Sequence, residues 1–102
     1  MERSHELVCR VAKQIVELVH PSRIIEYNTK YDMNGEVSAF KLCIVGAIPD
    51  KKRLLSLIFD QVDSEVPFDV LLYTDEQFAQ LQEEEAAFAN RVHRKGRVLY
   101  ER

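Results

Sequence analysis

Few side chains in this sequence have the types and the spacing of a catalytic or metal-binding site. His5 and Cys9 are four residues apart in a helical pattern, a spacing at which an imidazole and a thiolate can bind one metal ion. Two ligands without a third elsewhere make a weak site, and chance explains this pair better. His20 stands before a proline and His93 lies near a predicted helix end, and neither belongs to a triad-like pattern. The histidines therefore predict no active site.

Three charged clusters are better explained as solvated surface than as binding sites. Residues 51–53 read Lys-Lys-Arg at a predicted helix start, where they could bind an anion but oppose the helix dipole. Residues 83–85 are three glutamates, which could form an acidic contact patch. The basic residues within 93–97 lie at a predicted helix end, where positive charge complements the dipole.

Length and composition indicate one globular domain. The chain has 102 residues, of which 46% are hydrophobic and 30% are charged. A formal net charge of −3 gives no long-range attraction to nucleic acid, and no apolar run approaches the length of about 20 residues that spans a bilayer. Cys9 and Cys43 are too few for a disulfide framework and are expected to be free thiols in a reducing cytosol. The sequence therefore predicts a cytoplasmic protein without membrane contacts, and nucleic acid is not an expected partner.

Hydrophobic periodicity and turn signals predict eight elements in the order helix, strand, strand, helix, strand, helix, helix, strand. The predicted spans are a helix over 6–19, a hairpin over 24–45, a helix over 51–61 capped by Asp50, a strand over 68–73, a helix after a Thr74–Gln77 capping box, a helical stretch over 86–94 and a strand over 98–100. This order predicts an α/β (α+β) fold with one mixed sheet, a long β-hairpin and helices packed on the sheet. The residues expected to be buried are Leu7, Val11, Ile15, Ile25, Leu42, Ile44, Leu54, Ile58, Leu71 and Phe88.

The hairpin is the most informative segment of the sequence. Asn34-Gly35 is a strong signal for a two-residue type I′ turn, which needs a positive φ at both positions. Pairing outward from that turn predicts two faces of different character. The mostly apolar face pairs Tyr31 with Ser38, Thr29 with Phe40, Tyr27 with Leu42 and Ile25 with Ile44. The mostly polar face pairs Asp32 with Val37, Lys30 with Ala39, Asn28 with Lys41 and Glu26 with Cys43.

Four short segments of the sequence occur in an order found in one enzyme family. Residues 24–27 read Ile-Ile-Glu-Tyr, two aliphatics and then an aromatic, and Asn28-Thr29 follows them. Residues 38–45 read Ser-Ala-Phe-Lys-Leu-Cys-Ile-Val, residues 68–72 read Phe-Asp-Val-Leu-Leu, and residues 94–101 read Arg-Lys-Gly-Arg-Val-Leu-Tyr-Glu. Their order and spacing resemble the minimal nucleotidyltransferases of the DNA-polymerase-β superfamily over nearly the whole chain. The resemblance implies a single nucleotidyltransferase-like domain over residues 1–102.

The chain departs from that family at the positions that carry its chemistry. In the family, Gly-Ser opens a turn that holds nucleotide phosphates, and Ser-Asp-x-Asp with a later Asp binds two metal ions. This chain has Asn28-Thr29 at the Gly-Ser position, and Ala39 and Lys41 at the paired-Asp positions. Asp69 stands where the third acid is expected, although a polar residue at a strand start is the simpler interpretation. The resemblance therefore implies a degenerate site with no catalytic, cofactor-binding or metal-binding residue, and it disfavours an enzyme.

Two functional hypotheses follow from a retained fold with missing metal ligands. The first is a non-catalytic protein that acts through protein contacts. In the family that this chain resembles, small members often work as antitoxin-like partners of helical HEPN-domain ribonucleases. The second is a nucleotide-binding protein, or a nucleotidyltransferase with altered chemistry, that uses Asp69, Thr29 and Glu26 as polar groups.

The hairpin tip is the surface most expected to make a contact. Tyr31, Met33 and Val37 are apolar residues at the end of a hairpin that is long for so small a domain. Covering them would remove apolar surface from water. The sequence therefore predicts that the tip packs against a partner or against another copy of this chain in a homo-oligomer.

Overall fold

The computed structural model describes residues 2–83 and 96–102, which form three helices and a four-stranded sheet. The elements are α1 (Glu2–Val19), β1 (Arg23–Tyr31), β2 (Val37–Gly46), α2 (Lys51–Gln61), β3 (Phe68–Thr74), α3 (Asp75–Gln82) and β4 (Arg97–Glu101). The strand order is β3-β2-β1-β4, with β1 antiparallel to both of its neighbours and β2 parallel to β3. The chain therefore has an α+β fold with a mixed sheet and a long hairpin, as the sequence predicted. The predicted helical stretch over 86–94 lies outside the described residues.

Helix α1 covers one face of the sheet with an apolar stripe. The residues of this stripe recur every three or four positions, and the buried ones are Val8, Val11, Ala12 and Ile15. The helix begins at Glu2, four residues before the predicted start, and ends at Val19 as predicted. It stops there because His20 has a φ of 53°, outside the right-handed helical region, and Pro21 follows. No helix in the described ranges is long and apolar enough to cross a membrane.

Helix α2 connects β2 to β3 and makes these two strands parallel neighbours. It has the predicted span, and Asp50 caps it, because the Asp50 carboxylate accepts a hydrogen bond from the Arg53 N–H at 3.2 Å. The predicted capping box of α3 is also present. The Thr74 hydroxyl accepts from the Gln77 N–H at 3.1 Å, and the Gln77 side-chain oxygen accepts from the Thr74 N–H at 3.1 Å. The capping box fixes the position at which β3 ends and α3 begins.

The hairpin loop differs from the predicted type I′ turn. Gly35 has a positive φ of 80°, but Asn34 does not have a positive φ. The Gly35 N–H donates to the Asp32 carbonyl at 3.0 Å, and the Asp32 N–H donates to the Glu36 carbonyl at 2.8 Å. The Asp32 carboxylate also accepts from the N–H groups of Asn34 and Glu36, at 2.8 and 3.0 Å. The result is a three-residue loop with glycine in the left-handed position, which shifts the pairing at the tip by one residue.

Two irregularities then move the pairing between β1 and β2. The middle of the hairpin keeps the predicted pairs, which are Asn28 with Lys41, Thr29 with Phe40 and Lys30 with Ala39. Near the loop, the extra residue Ser38 leaves Tyr31 opposite Val37. At the other end, the extra residue Tyr27 leaves Glu26 opposite Leu42, Ile25 opposite Cys43 and Ile24 opposite Ile44. The predicted pairs at both ends are therefore wrong, because a shift of one residue turns side chains to the other face.

This shift sends apolar residues of β1 to both faces of the sheet. We name the side covered by α1 and α2 the α1 face, and the side covered by α3 the α3 face. The α1 face holds Ile24, Val37, Phe40, Leu42 and Ile44, and the α3 face holds Ile25, Tyr27, Cys43 and Val45 with Phe78 of α3. Tyr27 and Ile25 were predicted to share a face with Leu42, and Glu26 was predicted beside Asn28. Both expectations are wrong, and Glu26 is instead 9% exposed, opposite Leu42.

The predicted core is confirmed for the residues nearest the centre of the sheet. Those that are buried as expected are Val11, Ile15, Ile25, Leu42, Ile44 and Ile58. Those that are half-buried are Leu7, Leu54 and Leu71. Phe88 lies outside the described residues. Val37 was expected at the exposed tip but is buried against the α1 face, because the irregularity at Ser38 turns it inward.

Alanine substitutions in the loop distinguish the observed turn from a type I′ turn. Gly35→Ala should lower the free energy of unfolding by about 1–2 kcal/mol, because an L-residue is strained at this positive φ. Asn34→Ala should change it by less than about 0.5 kcal/mol, since its φ is not positive and the residue is exposed. Urea denaturation of both variants measures these differences. Equal losses for the two variants would indicate a type I′ turn instead.

Candidate functional site

Four of the predicted site positions lie side by side on the α3 face. Asn28 pairs with Lys41, and Lys41 pairs with Asp69, so β1, β2 and β3 contribute one residue each to a row across the sheet. Ala39 is two residues before Lys41 on β2 and shares this face. These four positions line a groove of about 250 Å³ at the start of β3, together with Lys30, Phe40, Pro67 and Phe68. The structure thus brings Asn28, Ala39, Lys41 and Asp69 together.

Thr29 lies on the opposite side of the sheet. It pairs with Phe40, which belongs to the core of the α1 face. The Thr29 hydroxyl donates a hydrogen bond to the buried Glu26 carboxylate. Both polar groups are therefore separated by the sheet from Asp69. The set of Asp69, Thr29 and Glu26 that an altered enzyme would use is not assembled in one place.

The backbone at Asn28 and Thr29 forms a strand instead of a phosphate-binding turn. Both residues pair with β2, and β1 continues to Tyr31. A turn that holds phosphate directs several N–H groups at one anion, whereas N–H groups along a strand point alternately to its two edges. Asn28 also carries a Cβ at the position where the resemblance expects glycine. This segment therefore has neither the shape nor the converging donors that a triphosphate needs.

Tyr27 belongs to the α3 face, which the sequence analysis missed. As the extra residue of the irregularity in β1, it packs with Cys43 and Tyr73 rather than beside Leu42. Burial raises the pKa of the Tyr27 phenol, and the nearby Cys43 and Asp69 raise it further. Burial also raises the pKa of the Cys43 thiol to about 12. Both groups are neutral at physiological pH, so neither supplies negative charge for a metal ion.

The charges of the groove oppose metal binding. Asp69 is the carboxylate among its lining residues, while Lys30 and Lys41 are cations. Magnesium prefers several oxygen ligands, usually including carboxylates, and a neighbouring cation disfavours it. No group of three His, Cys, Asp or Glu side chains that could hold a metal ion occurs in the part of the chain that the structure describes. The groove is therefore better suited to a small anionic group than to a divalent cation. Lys30 adds to this cationic character, and sequence analysis had not singled it out.

The two cysteines form no site with the groove. Cys9 is exposed and Cys43 is buried, and both are free thiols. Burial raises the pKa of the Cys9 thiol, the charge of Glu26 raises it further, and Arg97 opposes this shift. Cys9 is thus mainly protonated near neutral pH and a poor metal ligand. The side chain of His5 and the whole of His93 lie outside the described residues.

Comparison with protein-family models, curated proteins and solved structures found no match to this chain. Known relatives therefore add nothing to the geometry described above. The features that bear on function are the row Asn28, Lys41 and Asp69, the position of Thr29 and the exposed surfaces of the domain.

Restoring the paired carboxylates alone should not restore nucleotidyl transfer. In the Ala39→Asp, Lys41→Asp variant, three carboxylates would share the α3 face with Asp69 as the third, and magnesium at a hundredfold its dissociation constant should stabilise the fold by about 2.7 kcal/mol. Transfer should still fail, because the strand through Asn28 and Thr29 offers no phosphate-binding turn. The measurement is transfer of labelled AMP from ATP to protein or RNA, with magnesium or manganese.

The matched variant for this assay adds Asn28→Gly and Thr29→Ser to the two new carboxylates. We expect transfer to need at least these changes, because the ladder with β2 opposes a turn at this point. Transfer by the two-carboxylate variant alone would mean that a phosphate-binding turn exists. Transfer by the unmodified chain would refute the degenerate-site interpretation altogether.

Proposed function

We propose that this chain is a nucleotidyltransferase-like protein that does not transfer nucleotides and acts through contact with another protein. The observation that supports this most directly is the unbroken pairing of β1 with β2 through Asn28 and Thr29, where the family that it resembles has its phosphate-binding turn. Lys41 then adds a cation at a metal-ligand position, beside the surviving Asp69. A domain that keeps its framework without these ligands is suited to recognition.

The hairpin tip is the surface that we assign to the protein partner. Strand β3 begins opposite Phe40, so the hairpin beyond that residue extends past its neighbour in the sheet. At the tip, Met33 is fully exposed and Tyr31 is 56% exposed. The loop is held by two backbone–backbone hydrogen bonds, by two bonds to the Asp32 carboxylate and by one from the Ser38 hydroxyl to the Lys30 carbonyl. Large apolar side chains on such a loop are a preorganised contact, which reduces the ordering cost of binding.

The partner class that fits the proposal is a helical HEPN-domain ribonuclease, with this chain as its antitoxin-like half. The test is to produce HEPN-domain ribonucleases of the same host, with and without this chain, and to measure complex formation by gel filtration and ribonuclease activity on RNA. We expect a stable complex in which the ribonuclease activity falls. Met33→Ser should weaken the complex about tenfold, as loss of an exposed apolar anchor does.

The matched control is Leu57→Ser, which removes an exposed apolar side chain from α2, away from the tip. This variant should bind as tightly as the unmodified chain. The absence of any complex would refute the HEPN assignment. A complex weakened equally by both substitutions would exclude the tip as the binding surface.

Nucleotide binding is the competing function, and one observation favours it. Lys30 and Lys41 line the groove on the α3 face, where they could neutralise phosphate. A nucleotide at a hundredfold its dissociation constant would stabilise the fold by about 2.7 kcal/mol. We expect no rise in unfolding temperature with ATP, GTP, CTP or UTP in the presence of magnesium or manganese, because the converging N–H groups are absent at Asn28 and Thr29. A shift that Lys41→Ala abolishes would establish the competing function.

A further inference from the structure

Strand β3 is an edge of the sheet with few of the features that usually protect an edge, since Asp69 is its one charged residue. It has seven residues and pairs with β2 in an unbroken parallel register. Its sequence, Phe-Asp-Val-Leu-Leu-Tyr-Thr, contains no lysine, arginine, proline or glycine. Natural proteins normally interrupt such edges with charges, prolines or bulges, because an open edge pairs with other strands. Among the described residues, β3 pairs only with β2, so the backbone groups on its other side have no strand partner there.

The opposite edge of the sheet is better protected than β3. Strand β4 has five residues, and its pairing with β1 contains an irregularity. Arg97 and Glu101 are charged and exposed, and Glu101 forms an ion pair with Arg23 at 3.1 Å. Short length, charge and a register shift all discourage further pairing. Of the two edges, β3 is therefore the one built to accept a strand.

The backbone of β3 directs specific groups outward. The Phe40 N–H donates to the Pro67 carbonyl at 3.3 Å, so residue 67 faces β2. Because backbone groups alternate along a strand, the N–H and C=O groups of Phe68, Val70 and Leu72 point away from β2. These residues are the ones that a new strand would bond.

Helix α2 flanks this edge and carries an unusual arrangement of charge. Its start lies near the end of β3, since the Lys51 ammonium is 5.8 Å from the centre of the Tyr73 ring. Its end lies near the start of β3, where Phe59, 49% exposed, contacts Phe68 at a centroid distance of 5.2 Å. The helix begins Lys-Lys-Arg with no acid in its first turn and has Asp60 near its end, which is the reverse of what the helix dipole favours. An antiparallel copy of α2 would set each basic start beside an acidic end.

We propose that β3 pairs with β3 of a second copy of this chain, antiparallel about a two-fold axis at Leu71, to form one continuous eight-stranded sheet. In this register Val70 faces Leu72 of the second copy, and Asp69 faces Tyr73 of the second copy, whose phenol can donate to the carboxylate. No like charges oppose each other. The contact is the same on both copies, as a closed dimer requires.

The α2 helices beside β3 favour a second copy of this chain, and not an unrelated strand, as the partner of β3. The two-fold axis brings the two α2 helices together antiparallel, so that Lys52 approaches Asp60 of the second copy and Phe59 becomes covered. An unrelated strand could use the backbone groups of β3 but would leave both features unexplained. The charges of α2 therefore complement α2 itself.

Charge reversal in α2 tests this dimer with the full chain. Sedimentation equilibrium at low salt should give twice the chain mass of 11.9 kDa at high concentration. Lys52→Glu and Asp60→Lys should each raise the dimer dissociation constant about tenfold or more, because each places like charges together. The double variant Lys52→Glu, Asp60→Lys exchanges the two charges and should restore dimerisation. Both residues are exposed, so folding should be unaffected.

The matched control is the pair Lys13→Glu and Glu17→Lys, which makes the same charge changes on exposed positions of α1 and should leave the dissociation constant unchanged. Hydrogen exchange supplies an independent measure of the edge. The amides of Val70 and Leu72 should become protected as concentration rises, whereas those of β4 should not. A chain that stays monomeric at every concentration overturns the proposal. So does a dimer that is insensitive to the single reversals, or one that the double variant fails to restore.

Discussion

Pairing of β2 along both of its edges is the interaction on which the rest of this structure depends. Strand β2 bonds to β1 on one side and to β3 on the other, and its residues from Leu42 to Gly46 are all buried. Helices cover both faces there, so β2 contributes to two apolar clusters at once. Its end is equally constrained: a Cβ at Gly46 would come within 3.2 Å of the Pro21 Cα. The central strand can therefore neither slide nor turn without disturbing both layers of helices.

That double pairing also explains why the candidate site has no phosphate-binding turn at Asn28 and Thr29. A strand and a phosphate-binding turn make incompatible demands on the same N–H groups, since one distributes them between two edges and the other directs them at one anion. Asn28 and Thr29 are part of the ladder with β2, and Thr29 is also engaged with Glu26 on the far side of the sheet. The hairpin thus uses for folding the segment that phosphate binding would need.

Within the described residues, the sequence predicted the elements and their order because local signals dictate them. The cap at Asp50, the capping box at Thr74 and the mixed sheet are all confirmed. The pairing at the ends of β1 could not be predicted, because the extra residues Ser38 and Tyr27 have no signature in composition or alternation. Ile24 and Ile25 are both apolar, so either residue could occupy a buried face of the sheet. Because both faces of the sheet are buried there, the strand lacks the alternation of apolar and polar residues that normally sets the register. In the row of Asn28, Lys41 and Asp69, the pairing of Asn28 with Lys41 was predictable from the sequence, because both residues lie between the two irregularities.

Ala39 and Lys41 also suit a fold that needs no metal ion for stability. Three carboxylates at positions 39, 41 and 69 would share one face on adjacent strands, where they repel one another unless metal ions neutralise them. Ala39 removes one charge, and Lys41 places a cation directly beside Asp69 in the register of β2 and β3. Sites that hold clustered charge commonly lower stability, and their loss is a recurrent route to a more stable domain. The groove therefore has electrostatics that need no metal ion for stability, as the proposed role in protein contacts requires.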